Sequence, residues 1–302
     1  MTNWNDFTAA LRAACPDLEL RQDEPMSKHT SFRIGGPAAV MALPSTQAQA
    51  QAAVRFAARE GVTPFFMGNG SDLLVSDAGY DGFIVKSALD GIARKGNTLT
   101  AGSAVSLARL AVFACDAGLA GSEFAHGIPG TVGGGVTMNA GAYGGELAQV
   151  LSDITFLDSA GERVVRPASA CELTYRHSAF SDGKRLILSA SVDLQPGDPT
   201  EIRARMNELM ERRKDKQPLE WPSGGSTFKR PEGHFAAALI EQCGLKGASV
   251  GGAQVSEKHA GFLINRGGAT CADMLALIER VRRAVLERTG VELELEVKLL
   301  GV

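Results

Sequence analysis

The sequence predicts an α+β chain in two parts, residues about 31–196 and 197–302, behind an N-terminal helix and strand within residues 1–30. Three observations carry this prediction. From Phe32 onward, short β runs alternate with helical patterns. Gln195-Pro196-Gly197-Asp198 breaks that alternation before a charged helix. Between them, Gly127–Gly145 holds eight glycines in nineteen residues and no charged side chain. Glycine that dense weakens helix and strand alike, so the run reads as a loop that turns through positive φ or lets backbone approach a ligand. With no Lys or Arg in it, an anion there is expected on backbone N–H groups, in a nest or at a helix start. The competing reading is a tight interdomain turn.

The elements follow in order. Trp4, Phe7 and Leu11 recur at helical spacing, and a short strand is expected around Leu18. Val40–Leu43 reads as a strand, Thr46–Glu60 as a helix, and Thr63–Met67 as a strand running into Gly68-Asn69-Gly70-Ser71-Asp72. Leu73–Val75, Phe83–Lys86 and Thr98–Ala101 are further strands, and Leu107–Ala117 a helix. After the glycine run come strands at Ile154–Leu157, Arg163–Arg166 and Leu186–Val192, then the helix Glu201–Lys216 ended by Pro218. In the last hundred residues, Thr270 and Asp273 have capping-box spacing at the head of a helix to Arg288. Its apolar stripe is Met274, Leu277, Ile278, Val281 and Val285. Val291–Leu299 alternates as a terminal strand, with Glu292, Glu294, Glu296 and Lys298 on one face.

Composition narrows the function classes. Hydrophobic residues make up 44% and charged residues 22%, and the net charge is −3, so no electrostatic footprint for nucleic acid or an acidic membrane is expected. The start lacks a basic region followed by an apolar core, and no apolar run nears the roughly 20 residues that span a bilayer. Five cysteines, scattered and never spaced C-x-x-C, argue against a disulfide framework and for a reducing cytoplasm. Five isolated histidines show no metal-ligand spacing, so no metal is expected. Gly68/Gly70 and Gly133/Gly135 lack the third glycine of a Rossmann fingerprint, with Leu73 and Met138 in its place. A P-loop, an H-E-x-x-H and a G-x-S-x-G are likewise absent.

Five segments in order carry a resemblance. They are Gly68-Asn69-Gly70-Ser71-Asp72-Leu73-Leu74-Val75, Gly127-Ile128-Pro129-Gly130-Thr131-Val132-Gly133-Gly134 through Met138-Asn139-Ala140-Gly141-Ala142-Tyr143-Gly144, Tyr175-Arg176-His177-Ser178, Gly225-Ser226-Thr227-Phe228-Lys229 and Glu296-Val297-Lys298. Together they resemble the UDP-N-acetylenolpyruvoylglucosamine reductase family, from Thr30 to the C-terminus. The resemblance implies a vanillyl-alcohol-oxidase-type (PCMH) FAD-binding domain at 31–196, in subdomains of about 31–96 and 97–196, followed by a smaller substrate-binding domain at 197–302. It implies non-covalent FAD, NADPH as co-substrate and UDP-GlcNAc-enolpyruvate as substrate, with hydride passing from the flavin N5 to C3 and a proton to C2. A cytoplasmic monomer is expected.

The resemblance also assigns residues. Gly68, Asn69, Gly70, Ser71, Asp72, Gly127, Ile128, Pro129, Gly130, Thr131, Gly133, Gly134, Asn139 and Gly141 fall in its cofactor loops. Arg176 matches the catalytic arginine, whose guanidinium stays charged and can clamp a carboxylate. Ser226 matches the proton donor, a weak acid suited to a basic carbanion formed beside it. Glu296 matches the partner of Arg176, although alternation alone cannot choose among the three glutamates. Lys216 and Lys229 supply charge for a diphosphate, while Tyr143 and His259 are substrate-contact candidates with equal claims as structural residues. Asp72 stands where Asn is usual, Leu295 where many relatives have proline, and Arg230 where one branch has Asn. The short span from Arg185 to Glu201 leaves no room for that branch's inserted tyrosine loop, which points to the second branch. Two alternatives remain: another FAD oxidase of this fold, in which His126 would be the candidate for covalent attachment, and a nucleotide-binding relative without catalysis.

Overall fold

The computed structural model describes residues 2–302. The chain forms two compact units that are interleaved in sequence. The first comprises residues up to Gln22, Ala39–Asn69 and Gly82–Glu211; the second comprises Asp23–Ala38, Gly70–Asp81 and Arg212–Val302.

In the first unit the helix Trp4–Ala14 starts at Asn3, whose Oδ1 accepts from Asn5 N at 3.1 Å. Phe7 sits edge-on to Phe56 and Phe83 at 5.1 Å each, which seals the helix onto the interior. Thr46 and Gln49 form a capping box for the helix Gln47–Arg59. A four-stranded sheet is ordered Glu19–Pro25, Pro37–Leu43, Tyr80–Lys86, Phe65–Met67. A five-stranded sheet, antiparallel throughout, is ordered Arg163–Pro167, Leu151–Leu157, Leu186–Asp193, Thr98–Gly102, Ile92–Lys95. Leu99, Ile154, Phe156, Phe180 and Val192 are buried in its core. The helix Leu107–Asp116, capped by Ser106, contributes Leu107 and Leu110 to that core.

Three expectations change here. Gly127–Gly145 is not a loop throughout, because Val132–Met138 is helical. Thr131 caps it, with Oγ1 accepting from Gly134 N at 3.4 Å, and Asn139 ends it in the left-handed region at φ 42°. Gly135 is a packing requirement: a Cβ there would lie 2.9 Å from Leu147 Cδ1 and 3.1 Å from Leu107 Cδ1. Second, Gln195–Pro196 is a short strand paired antiparallel with Leu119–Ala120. Third, the following helix starts at Pro199, where proline's fixed φ suits a first helical position.

In the second unit, the helix Cys271–Thr289 buries Met274, Leu277, Ile278, Val281 and Val285, the stripe expected from the sequence. Its capping box closes as read: Asp273 N donates to Thr270 Oγ1 at 3.0 Å and Thr270 N to Asp273 Oδ2 at 3.1 Å. Asp77, remote in sequence, adds a second cap by accepting from Cys271 N at 2.7 Å and Ala272 N at 3.0 Å. The helix shares its core with the three-stranded sheet Ser249–Val250, Ala253–Val255, Leu263–Asn265 and with Phe32 and Leu74. The short helix Ala236–Gln242 completes this layer.

The terminal strand is shorter than its alternation predicts. Only Lys298–Leu300 forms a ladder, parallel to Leu73–Val75, while Leu295 makes a single bridge to Phe228. The chain changes pairing partner between these points, and the burial phase slips with it. Leu293, Val297 and Leu300 are buried, whereas Leu299 is 40% exposed. No described helix is long and apolar enough to cross a membrane.

Candidate functional site

In the first unit, the two glycine segments meet. A Cβ on Gly68 would lie 2.4 Å from Thr131 Oγ1, and Asn69 Nδ2 donates to Pro129 O at 3.4 Å. The backbone N–H groups of Val132, Gly133 and Gly134 are bound within the protein, to Val105 O at 2.8 Å, Ser103 O at 2.9 Å and Thr131 Oγ1 at 3.4 Å. The helix start is therefore not the anion cradle that charge-free glycines led us to expect. Gly134 is nonetheless informative. Its φ is not positive, it is exposed, and a Cβ there would meet nothing nearer than 3.6 Å. Alanine would favour the helix by up to about 1 kcal/mol. Nothing inside the protein calls for glycine at 134, and its outward backbone face is bare.

Two turns follow the glycine helix. Gly141–Ala142 and Gly145–Glu146 pair around Tyr143 at φ 55° and Gly144 at φ 85°, both left-handed as a type I′ turn demands. Thr174 and His177 exchange backbone hydrogen bonds of 3.1 and 3.2 Å and enclose Tyr175 and Arg176. Arg176 sits at φ 54°, with its guanidinium 5.1 Å from the centre of the Tyr175 ring. Asn139, Tyr143 and Arg176 are thus non-glycine residues in a conformation that costs of order 1–3 kcal/mol, and strain of that kind gathers at functional sites. His126, just before the second loop, has its imidazole pKa lowered by burial and then by the Arg203 charge.

In the second unit, Thr227 is the hub. It is fully buried, donates its N–H to Gly261 O at 2.9 Å, and accepts on its carbonyl from Glu296 N at 2.9 Å. Its Oγ1 accepts from Leu263 N at 3.2 Å. Lys229 N donates to Glu294 O at 2.8 Å, so residues 227–229 run antiparallel to 294–296 and bring Ser226, Lys229 and Glu296 onto facing segments. Gly225, at φ 78°, turns the chain just before Ser226. A Cβ on Gly224 would lie 2.4 Å from Phe32 Cε2, so the loop lies flat on that ring.

The structure separates the three glutamates that alternation could not. Exposed Glu292 pairs with Arg282 at 3.3 Å, and exposed Glu294 pairs with the Lys229 ammonium. Glu296 is half-buried, with its N–H on Thr227 O. His259 Nδ1 accepts from Gly261 N at 3.2 Å, which leaves the proton on Nε2, and its ring stands edge-on to Phe262 at 4.9 Å. Burial, and to a smaller extent the Lys246 charge, lower its pKa. Lys216 ends its helix, where Lys258 Nζ donates to Lys214 O. Gly70, at φ 58°, packs so closely that a Cβ would lie 2.3 Å from His29 O; Gly70 O accepts from Ser31 N, and Asp72 O accepts from Lys298 N at 2.8 Å.

Two residues of consequence were not singled out for these roles in the sequence: Thr227 as the hub, and Glu294 as the counter-ion of Lys229. No signal distinguishes Thr227 before its partners are known. Among the described residues no group of three or more His, Cys, Asp or Glu could hold a metal ion.

Comparison with known proteins completes the description. Residues 37–166 match an FAD binding domain, and residues 217–300 match the UDP-N-acetylenolpyruvoylglucosamine reductase C-terminal domain. The chain is 44% identical over 297 residues to the UDP-N-acetylenolpyruvoylglucosamine reductase of Clostridium novyi (strain NT), covering 98% of this chain and 97% of that one. It is 46% identical over 302 residues to that of Clostridium botulinum (strain Hall), covering 100% and 99%. The crystal structure of the reductase from Thermus caldophilus superposes with a TM-score of 0.81 at 33% identity, covering 94% of this chain and 98% of the other. A glucose dehydrogenase, Phl p 4.0202, shares the fold over 64% of this chain and 44% of its own length, with a TM-score of 0.50 at 19% identity.

Proposed function

The chain belongs to the UDP-N-acetylenolpyruvoylglucosamine reductase family of FAD-dependent oxidoreductases, and from that premise we propose that it reduces the enolpyruvyl group of UDP-GlcNAc-enolpyruvate with electrons from NADPH. The product on this reading is UDP-N-acetylmuramate for peptidoglycan precursor synthesis, made by a cytoplasmic monomer.

The bare outer face of Gly134 supports a bound flavin, together with the meeting of Gly68-Asn69 and Pro129–Thr131. Residues 68–72 and 127–134, with Gly141, would hold it. Because the N–H groups of Gly133 and Gly134 are spent, these two would serve by close approach and not by donating. When bound, FAD takes hydride from NADPH and supplies it to carbon.

Hydride addition at C3 leaves negative charge on C2 and the adjoining carboxylate. The Arg176 guanidinium, charged at every working pH, stabilises that charge, with Glu296 as its partner. The Ser226 hydroxyl gives its proton to C2. Lys216 and Lys229 counter the diphosphate. The Lys229–Glu294 pair is exposed and worth no more than about 1 kcal/mol, so a diphosphate can displace Glu294 without difficulty. His259, with its proton on Nε2, is a neutral donor for substrate, and Tyr143 lines the approach from its strained turn.

The observation that carries this reading is the pairing of residues 227–229 with 294–296, which supports joint work by Ser226 and Glu296. The test is NADPH consumption in the presence of UDP-GlcNAc-enolpyruvate in D2O. The expected product has gained two hydrogens across the enolpyruvyl double bond, with deuterium from solvent at C2. No substrate-dependent consumption overturns the reading.

A further inference from the structure

We propose that Asn139 is a positioning residue that fixes the Arg176 turn, and that its amide does not serve as a cofactor ligand; the proposal rests on the role given to Arg176 above. Asn139 is 1% exposed, and both ends of its amide are engaged. Nδ2 donates to Thr174 O at 3.1 Å, and Oδ1 accepts from Ala148 N at 2.9 Å. A carbonyl on one side and an N–H on the other fix the orientation of the amide.

Thr174 O is also the acceptor for His177 N, the bond that closes the turn around Arg176. One carbonyl therefore takes the turn's own hydrogen bond and the Asn139 anchor together. The anchoring has a second strand: Ser178 Oγ and Ser181 Oγ both donate to Thr137 O, at 2.8 and 3.0 Å, two residues before Asn139. Arg176 is held at φ 54°, which a residue with a Cβ leaves when unrestrained, so the turn needs outside support. Asn139 can give it because asparagine tolerates the left-handed φ of 42° that ends the glycine helix. The same residue thus ties the helix after the glycine loop to the turn that presents the guanidinium.

Two variants isolate this role. Asn139→Asp keeps the size, the left-handed tolerance and the acceptor for Ala148 N, but sets an oxygen against Thr174 O. Asn139→Gly keeps the backbone conformation and removes the amide; it carries the test if the aspartate variant does not fold. In FAD-loaded protein, either change is expected to slow flavin reoxidation by UDP-GlcNAc-enolpyruvate about 10- to 100-fold, the scale of a misplaced catalytic group. In an Arg176→Lys background the same change is expected to cost less than about twofold more, since the group it positions is gone. Trypsin should also cut after Arg176 faster in the variants than in the wild type, a readout independent of turnover. Losses that multiply in the Arg176→Lys background, or flavin loss with unchanged cleavage, overturn the proposal while leaving the parent reading intact. Wild-type reoxidation by Arg176→Lys itself overturns both.

Discussion

Thr227→Val removes one hydroxyl from the hub of the second unit and changes little else. Thr227 and Leu263 are both fully buried, and Leu263 N gives its hydrogen bond to Thr227 Oγ1 at 3.2 Å. Valine fills the same volume, so the cost is an N–H left unpaired in the interior, about 1–3 kcal/mol. For a cooperative unit of this size that lowers Tm by roughly 2–12 °C. Thr227→Ser keeps the acceptor and loses a methyl, at a cost of about 1 kcal/mol. Calorimetry of the FAD-loaded protein should therefore rank wild type above the serine variant and the serine variant above valine. Function should follow the same order. The Thr227 carbonyl receives Glu296 N and its own peptide follows Ser226, so loosening the hub slows flavin reoxidation by substrate while flavin reduction by NADPH proceeds at its normal rate. A valine variant as stable as wild type, or a serine variant worse than valine, would refute the reasoning.

Ser226→Ala should leave NADPH reduction of the flavin intact and slow reoxidation by substrate by orders of magnitude, as rapid-mixing absorbance would record. Glu296→Gln should do the same, whereas Glu294→Gln, which only frees Lys229 from an exposed pair, should leave kcat unchanged and move the substrate KM by less than about threefold. Asp273→Asn tests the helix cap through pH. Backbone hydrogen bonds from Thr270 and then Gly252 hold the Asp273 carboxyl below its ordinary value, so its ionised form stabilises the fold above the unfolded-state pKa. That contribution is lost as pH falls through the depressed value. The variant should melt lower than wild type at neutral pH, and the gap should close in strong acid; a gap that persists there contradicts the assignment.

The sequence is most readable where the signal is local. Thr270 and Asp273 announced their capping box, and the stripe from Met274 to Val285 is the face that the structure buries. The fold class, a PCMH-type FAD-binding fold with a C-terminal reductase domain, followed from five short motifs in order, and the matches to both domains and to the Thermus caldophilus structure bear it out. What escaped the sequence depends on distant partners. Glycine density in Gly127–Gly145 predicted irregular backbone, yet the Thr131 cap and the tight fit of Gly135 against Leu107 and Leu147 outweigh that preference and form a helix. The alternation of Val291–Leu299 assumed one pairing partner, and a change from Phe228 to Leu73–Val75 shifts its phase. Asp77 caps a helix that begins at Cys271, and Thr227 joins Gly261, Leu263 and Glu296. No periodicity records such contacts.

The most direct test of the central claim is an anaerobic titration of the FAD-loaded protein with NADPH, followed by addition of UDP-GlcNAc-enolpyruvate while the flavin spectrum is recorded. The account predicts bleaching on NADPH and recovery of the oxidised spectrum only when that substrate is added, one equivalent per flavin. A flavin that bleaches and then stays reduced in the presence of the substrate would contradict it.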